Sequence, residues 1–482
     1  MENFSSIMGA VGVVAIVVLL FNFMIFFHEL GHFFAARWRG LYIDRFQIWF
    51  GKPIFKKKIN GVQWGVGWIP AGGFVSLPQM APMESIEGDA DLPKDLPAIK
   101  PLDKIIVAAA GPLFSFLLAV IFAVFVWFAG KPTAEYNVTT VGYIPSVSPA
   151  ATSGLLPGDR ILEVDGHRVD RWVGDMVGVR ERIMLSEGDK VRFVVQRPGE
   201  QAPLSFASDF RIPESQWWER KQMRQVGIAP AGKSIVGEIL PQSPAEVAGL
   251  KVGDELTHLN GVKLWTPAAV IDAARDGRSM DLTVNRNKGR ETLVVHVEPK
   301  IPLSWAGRKD AKPLTGIGWA PSDEIKEVTI YPTPGEQIGM SLKWMGDTIA
   351  KVVAPKSDVG VQHLSGPVGI VAYLYKILYI EDGWKLALWF IVFLNINLAI
   401  LNILPLPVVD GGHVVLGSLE MIFRRPVGGK LLEFIQTGFV FLLMGFFLFV
   451  TFKDVGDLFK PKEEVLPKPS FVSQIDTQEE KK

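Results

Sequence analysis

VVAIVVLLFNFMIFFHELGHFFAA, residues 13–36, is apolar apart from Asn22 and one group of ionisable side chains, His28, Glu29 and His32. A run of this length and hydropathy suffices to cross the ~30 Å hydrocarbon layer as a helix. On a helix, residues four apart share a face, so the imidazoles of His28 and His32 reach one tetrahedral zinc ion with Glu29 beside it. In that pattern the metal lowers the pKa of a water and the glutamate takes its proton during attack on an amide. The alternative is two polar-facing histidines on a soluble helix. Location argues against it: ionisable groups within an apolar span are costly, and are functional by default.

Working outward, three further stretches are long and apolar enough to span. With the first, Met8 to Ala36, they are Lys104 to Phe128, Trp384 to Leu404 and Leu431 to Phe452. The expected fold is a polytopic α-helical membrane protein with four transmembrane helices. The first span is read as retained rather than as a signal peptide, having Glu2 in place of a basic n-region and no small-residue cleavage site. Formal charge is zero, 50 basic against 50 acidic side chains, which leaves no basic field for nucleic acid. There are no cysteines, which excludes disulfides, thiolate zinc sites and a cysteine nucleophile.

Basic residues orient the spans. Arg37, Arg39, Arg45, Lys52 and Lys56-Lys57-Lys58 follow the first span, and Arg424, Arg425 and Lys430 lie between the third and fourth. The positive-inside rule puts both connections in the cytoplasm. Both termini and the segment from Gly130 to Asp382 are then outside, and His28, Glu29 and His32 lie towards the cytoplasmic face.

That outer segment contains a repeat. Ser148-Pro149-Ala150 matches Ser243-Pro244-Ala245, Gly158-Asp159 matches Gly253-Asp254, and Gly166 matches Gly261, each offset by 95 positions (243 − 148). Val226-Gly227-Ile228-Ala229-Pro230 is paired with Ile317-Gly318-Trp319-Ala320-Pro321. The units resemble PDZ domains of the circularly permuted bacterial type, small α+β folds in which a peptide C-terminus is held by β-augmentation. The resemblance makes Gly227, Ile228 and Gly318 peptide-binding loop residues; the alternative is two modules that only space the membrane parts.

Between the first two spans, Phe46 to Leu77 alternates in hydropathy, broken by Asn60-Gly61 and Gly72-Gly73, which reads as a membrane-associated β-hairpin region. Pro334 to Val353 has the spacing of an amphipathic helix. The expected division is 1–130, first membrane part; 131–230 and 231–322, PDZ-like domains; 323–383, amphipathic linker; 384–460, second membrane part; 461–482, disordered tail.

Zinc needs a third protein ligand. His167, His258, His296 and His363 lie in the outer segment. The stretch Asn402-Ile-Leu-Pro405-Leu-Pro407-Val-Val-Asp410-Gly-Gly-His413 follows the third span at the depth of His32. Asp410 is its one carboxylate, and Pro405 and Pro407 force extended backbone able to deliver it. Otherwise Asp410 is an N-cap on the turn into the fourth span. His413 is expected to bond a neighbouring group rather than the metal.

Together His28-Glu29-Leu30-Gly31-His32, the Asn402-to-Asp410 pattern, Ser365-Gly366-Pro367 and the two outer units resemble the site-2 protease family over residues 1–460, with the bacterial regulator-of-sigma-E proteases nearest in pattern. The resemblance implies an intramembrane zinc metalloprotease that cleaves the helices of single-pass membrane proteins within the lipid bilayer, often anti-sigma factors already trimmed by another protease. It makes His28, His32 and Asp410 the zinc ligands and Glu29 the base. Asn402, Pro405, Pro407 and the Gly72-Gly73 region would handle the substrate strand, and the β-region would help unwind the substrate. Ser115 stands where the family pattern has asparagine. Two other readings compete: a non-proteolytic PDZ-bearing scaffold with a degenerate site, and a soluble-type zinc peptidase anchored by its first helix.

Overall fold

The computed structural model describes residues 2–80, 96–97, 99–174, 176–322, 325–425, 429–459 and 466–472. The chain forms two compact units. One comprises Met1–Pro132, Thr329–Ala350 and Leu364–Val455; the other comprises Thr133–Val328, Lys351–His363 and Gly456–Lys482.

Among the described residues, seven helices frame the first unit: α1 (Glu2–Arg39), α2 (Pro101–Ala129), α3 (Pro334–Val353), α4 (Pro367–Leu378), α5 (Gly383–Ile403), α6 (Asp410–Phe423) and α7 (Gly429–Leu458). Four are long and apolar enough to cross a membrane, over Val11–Arg39, Pro101–Ala129, Gly383–Ile403 and Leu432–Leu458, as the hydropathy predicts. Leu19, Phe125, Phe128 and Leu442 point outward from them and are exposed. Apolar surface of that extent suits lipid rather than water.

Helix α2 is the hub, packed on α1, α5 and α6. Its small residues set the distances. A Cβ on Gly31 of α1 would stand 2.3 Å from the Ala110 carbonyl oxygen, so the two backbones touch at this crossing. Towards α5, Ala119, Ala123 and Val126 take the bulk of Trp389, Val392 and Ile396. The amphipathic helix α3 packs Ile338 and Trp344 against that cluster, and Gln337 donates to the Ala123 carbonyl at 2.9 Å.

Two helices depart from expectation. The region taken as linker contains α4, whose first turn donates Gly366 and Gly369 N–H groups to the buried carboxylate of Asp454 on α7. Asp410 does not cap the fourth span: it is the first residue of a separate helix, α6. Asp-Gly-Gly reads as a turn, but these glycines let the helix start against the chain before it. Cβ atoms on Gly411 and Gly412 would lie 2.0 Å from the Leu404 carbonyl oxygen and 2.3 Å from that of Leu406.

Strands β1 (Arg45–Ile59) and β2 (Val62–Ser76) meet at Asn60-Gly61, both at positive φ (49° and 88°), as a two-residue hairpin turn requires. Gly72-Gly73 is not a turn but lies within β2, which bends back on itself. Residues 45–48 therefore pair on one side with 63–66 and on the other with 73–76, while 53–59 pair with 62–67. Gly72 (φ 71°) makes the bend possible, because a Cβ there would overlap the Phe50 ring at 2.0 Å. Phe46, fully buried, joins Phe33 of α1 and Val107 of α2 in the core beneath.

The second unit contains two modules of one design. Each has a four-stranded antiparallel sheet and a two-stranded one. In the first module they are His167–Arg168, Arg160–Val164, Val191–Gln196 and Leu204–Ser208, and Val141–Tyr143 with Ala229–Pro230; in the second, Val262–Lys263, Glu255–Leu259, Met280–Arg286 and Glu291–Val297, and Val236–Ile239 with Ile317–Trp319. Both repeated aspartates are buried in ion pairs, Asp159 with Arg197 at 2.7 Å and Asp254 with Arg286 at 2.8 Å.

These pairs correct the alignment of the modules' ends. Ala150 N–H donates to the Val226 carbonyl and Ala245 N–H to that of Thr315. Gly227 and Gly316, both at positive φ, stand against Ser148 and Ser243. The equivalent of Gly227 is therefore Gly316, and Gly318 is a strand residue opposite Glu238. The sequence comparison missed this because the spacing shortens between the third match and the Arg197/Arg286 pair. The tail is corrected too: residues 466–472 are ordered against the second module, with Phe471 buried. Residues 460–465 and 473–482 of the expected disordered segment lie outside the described residues.

Candidate metal centre

His28 and His32 occupy successive turns of α1 and face α2, where Gly111 leaves room for them: a Cβ there would lie 2.2 Å from His32 Nε2 and 2.8 Å from His28 Nε2. Each ring is fixed through its other nitrogen. His32 Nδ1 lies 2.8 Å from the Val107 carbonyl oxygen, so it carries the proton and donates. His28 Nδ1 lies 3.0 Å from the hydroxyl of Ser115 on α2, the position where the family pattern has asparagine. When both Nδ1 atoms carry the proton, the two Nε2 atoms present lone pairs to the same point.

Asp410, at the start of α6, completes the cluster. Its Oδ2 is 3.1 Å from His28 Nε2, its Oδ1 is 3.3 Å from His32 Nε2, and the two Nε2 atoms are 3.3 Å apart. Ligands about 2.0–2.1 Å from a tetrahedral zinc are spaced by roughly 3.3 Å, and the two imidazole nitrogens and the Asp410 carboxylate are spaced on that scale. Asp410 Oδ2 is buried, with no hydrogen-bond donor in reach other than the His28 ring. With both imidazoles neutral and protonated on Nδ1, the converging acceptors are a set that can hold a cation. Among the described residues this is the one group of three or more histidine or acidic side chains so arranged.

A cavity of about 430 Å³ opens beside the cluster, lined by His28, Glu29, His32, Asp410 and His413, by Gly72 to Val75 of β2, and by Asn402. The carboxylate of Glu29 accepts the Val75 N–H, which ties the base candidate to the inner run of β2. Asn402 and Gly72-Gly73, expected to handle a substrate strand, line this cavity. Pro405 and Pro407 are not: they shape the link from α5 to α6, Gln436 donates to the Pro407 carbonyl at 3.3 Å, and Val408 and Val409 form the wall instead. His413 lines the cavity outside the three-ligand group. The supporting groups that sequence reasoning missed are Gly111 and the Val107 carbonyl. Only the short side chains of Ala108 to Gly111 hinted at close helix contact.

In the second unit, Gly227 and Ile228 line a separate cavity of about 410 Å³ with Arg180, Ile183 and Met184. His363 bonds the Lys221 carbonyl and His296 bonds Asp281.

Comparison with known proteins places these features. The model of peptidase family M50 matches residues 15–446. A Neisseria meningitidis protein provisionally named a zinc metalloprotease is 29% identical, over 84% of this chain and 90% of its own length. The protease RseP of Yersinia pestis and the regulator of sigma-E protease RseP of Escherichia coli are each 27% identical, over 90% of this chain and 97% of theirs.

Proposed function

The chain belongs to peptidase family M50 and is a zinc metalloprotease of the membrane, and from that premise we propose that it cuts transmembrane segments of single-pass proteins at the His28–His32–Asp410 cluster. The observation that carries the assignment is the convergence of His28, His32 and Asp410 ligand atoms on one point within the apolar spans. A degenerate scaffold would lack such a set.

His28, His32 and Asp410 would hold zinc beside the cavity. When bound, the metal supplies Lewis acidity to a water and to the scissile carbonyl. Glu29 takes the water's proton and returns it to the leaving nitrogen. The Val107 carbonyl keeps His32 in the tautomer that ligates, and the Ser115 hydroxyl holds the His28 ring in place. A substrate helix must first unwind, because its peptide groups are satisfied internally. Pairing of the unwound strand with the 73–76 run of β2 would satisfy the freed groups within reach of Glu29. Asn402 is suited to a further substrate backbone group.

The relatives named as regulators of sigma-E support a membrane-bound regulator of transcription as the substrate class; its prior trimming by another protease is part of the proposal. The two modules, read as PDZ-like and extracytoplasmic, act as a filter against untrimmed substrates. The test is cleavage of a model transmembrane substrate by purified protein. Chelation should stop it, and Glu29→Gln should stop it with zinc content unchanged. Turnover by Glu29→Gln would remove the glutamate from the base role.

A further inference from the structure

The segment Leu466-Pro467-Lys468-Pro469-Ser470-Phe471-Val472 lies against the second module without helix or strand of its own. Its main chain is read by two adjacent residues. Trp305 Nε1 donates to the Pro467 carbonyl at 2.6 Å, and the Ser304 hydroxyl donates to that of Lys468 at 3.1 Å. Ser304 N–H donates to the Ser470 carbonyl at 3.3 Å, and Ser470 N–H donates back to the Ser304 hydroxyl at 2.9 Å. Beyond these contacts Phe471 is buried to 7% exposure, its ring edge 3.4 Å from where a Gly316 Cβ would stand, beside Ser243. The first module differs: the nearest atoms to a Gly227 Cβ all belong to Ser148, and a cavity of about 410 Å³ adjoins the loop.

We infer that the face formed by Ser304, Trp305 and the Gly316 loop is a binding surface for an extended, proline-spaced peptide carrying an aromatic residue, and that the chain's own residues 466–472 are its resident ligand. Pro467 and Pro469 hold the peptide extended before it binds, which lowers the ordering cost. Four main-chain hydrogen bonds set its direction and Phe471 sets its register. The link from Leu458 of α7 to Leu466 is short, so the tail faces its site at an effective concentration on the order of millimolar. A free peptide of the same pattern must displace it. This surface does not depend on the peptidase reading, and its test contains no proteolysis.

The experiment compares the full chain with a variant ending at Phe459, both purified in detergent, for binding of a fluorescein-labelled peptide of residues 464–474 by fluorescence polarisation. The shortened chain should bind the peptide at least about tenfold more tightly than the full chain. Phe471→Ala in the peptide, or Trp305→Phe in the shortened chain, should weaken binding several-fold. Phe471→Ala in the full-length tail should open the site without truncation. Absence of binding to both open forms overturns the inference. So does equal binding by full and shortened chains, or indifference of the peptide to Phe471→Ala.

Discussion

Gly111→Ala adds one methyl group where α1 and α2 cross. That methyl would stand 2.2 Å from Nε2 and 2.5 Å from Cε1 of His32, and 2.8 Å from Nε2 of His28. Ordinary contact needs roughly 3.5 Å, so the His32 ring must retreat by more than about 1 Å. It cannot slide freely, because Nδ1 is tied to Val107 on the same helix that carries the new methyl. Metal–ligand distances tolerate only about ±0.2 Å, and loss of a supporting contact alone lowers metal affinity roughly 10- to 100-fold. Displacement of a ligand itself should exceed that, so zinc affinity is expected to fall at least about 100-fold. Elemental analysis after dialysis against graded chelator measures it, with thermal unfolding as a check on integrity. Gly445→Ala on α7, where a Cβ meets nothing within 4 Å, should match wild type. A Gly111→Ala protein that retains zinc like Gly445→Ala would refute the crossing geometry and the ligand assignment built on it.

Other outcomes follow from the same geometry. Asp410→Ala should lose zinc while His413→Ala keeps it; the reverse pattern would move the third ligand to α6's next turn. Deleting residues 137–321 should let the enzyme cut an untrimmed substrate with little change for a pre-trimmed one, as read from cleavage of long and short versions of one substrate. Continued refusal of the long form would end the filter proposal.

The parts legible in the sequence were those with a strict period or a forced location. His28, Glu29 and His32 share one helical face inside an apolar run, and the four spans needed only length and hydropathy. Asn60-Gly61 announced its turn because both positions need positive φ. Gly72 needs it as well, yet there the glycine serves a bend within a strand, a distinction set by the Phe50 ring across the sheet. Asp410-Gly411-Gly412 looked like a turn for a related reason: its glycines answer to the carbonyls of Leu404 and Leu406, contacts that no local pattern encodes. Gly316 was mistaken for Gly318 because a short deletion inside the repeat is invisible until the buried aspartate pairs align the modules. The docking of Phe471 is a long-range contact of a segment whose charge and prolines read as solvated.

The bent β-sheet has one more consequence. Its outermost run on one side carries Lys56, Lys57 and Lys58, a charge pattern that discourages further strands. On the other side, residues 73–76 have no strand partner beyond 45–48 among the described residues, and Val75 faces Glu29. Any chain that joins the sheet is thereby steered to a single side. Backbone groups along a strand alternate in direction with a period of two. A guest strand that slips along this border thus offers the glutamate every second peptide bond, and the enzyme's secondary cuts would fall two residues from the main one, a ruler built from the pleat itself.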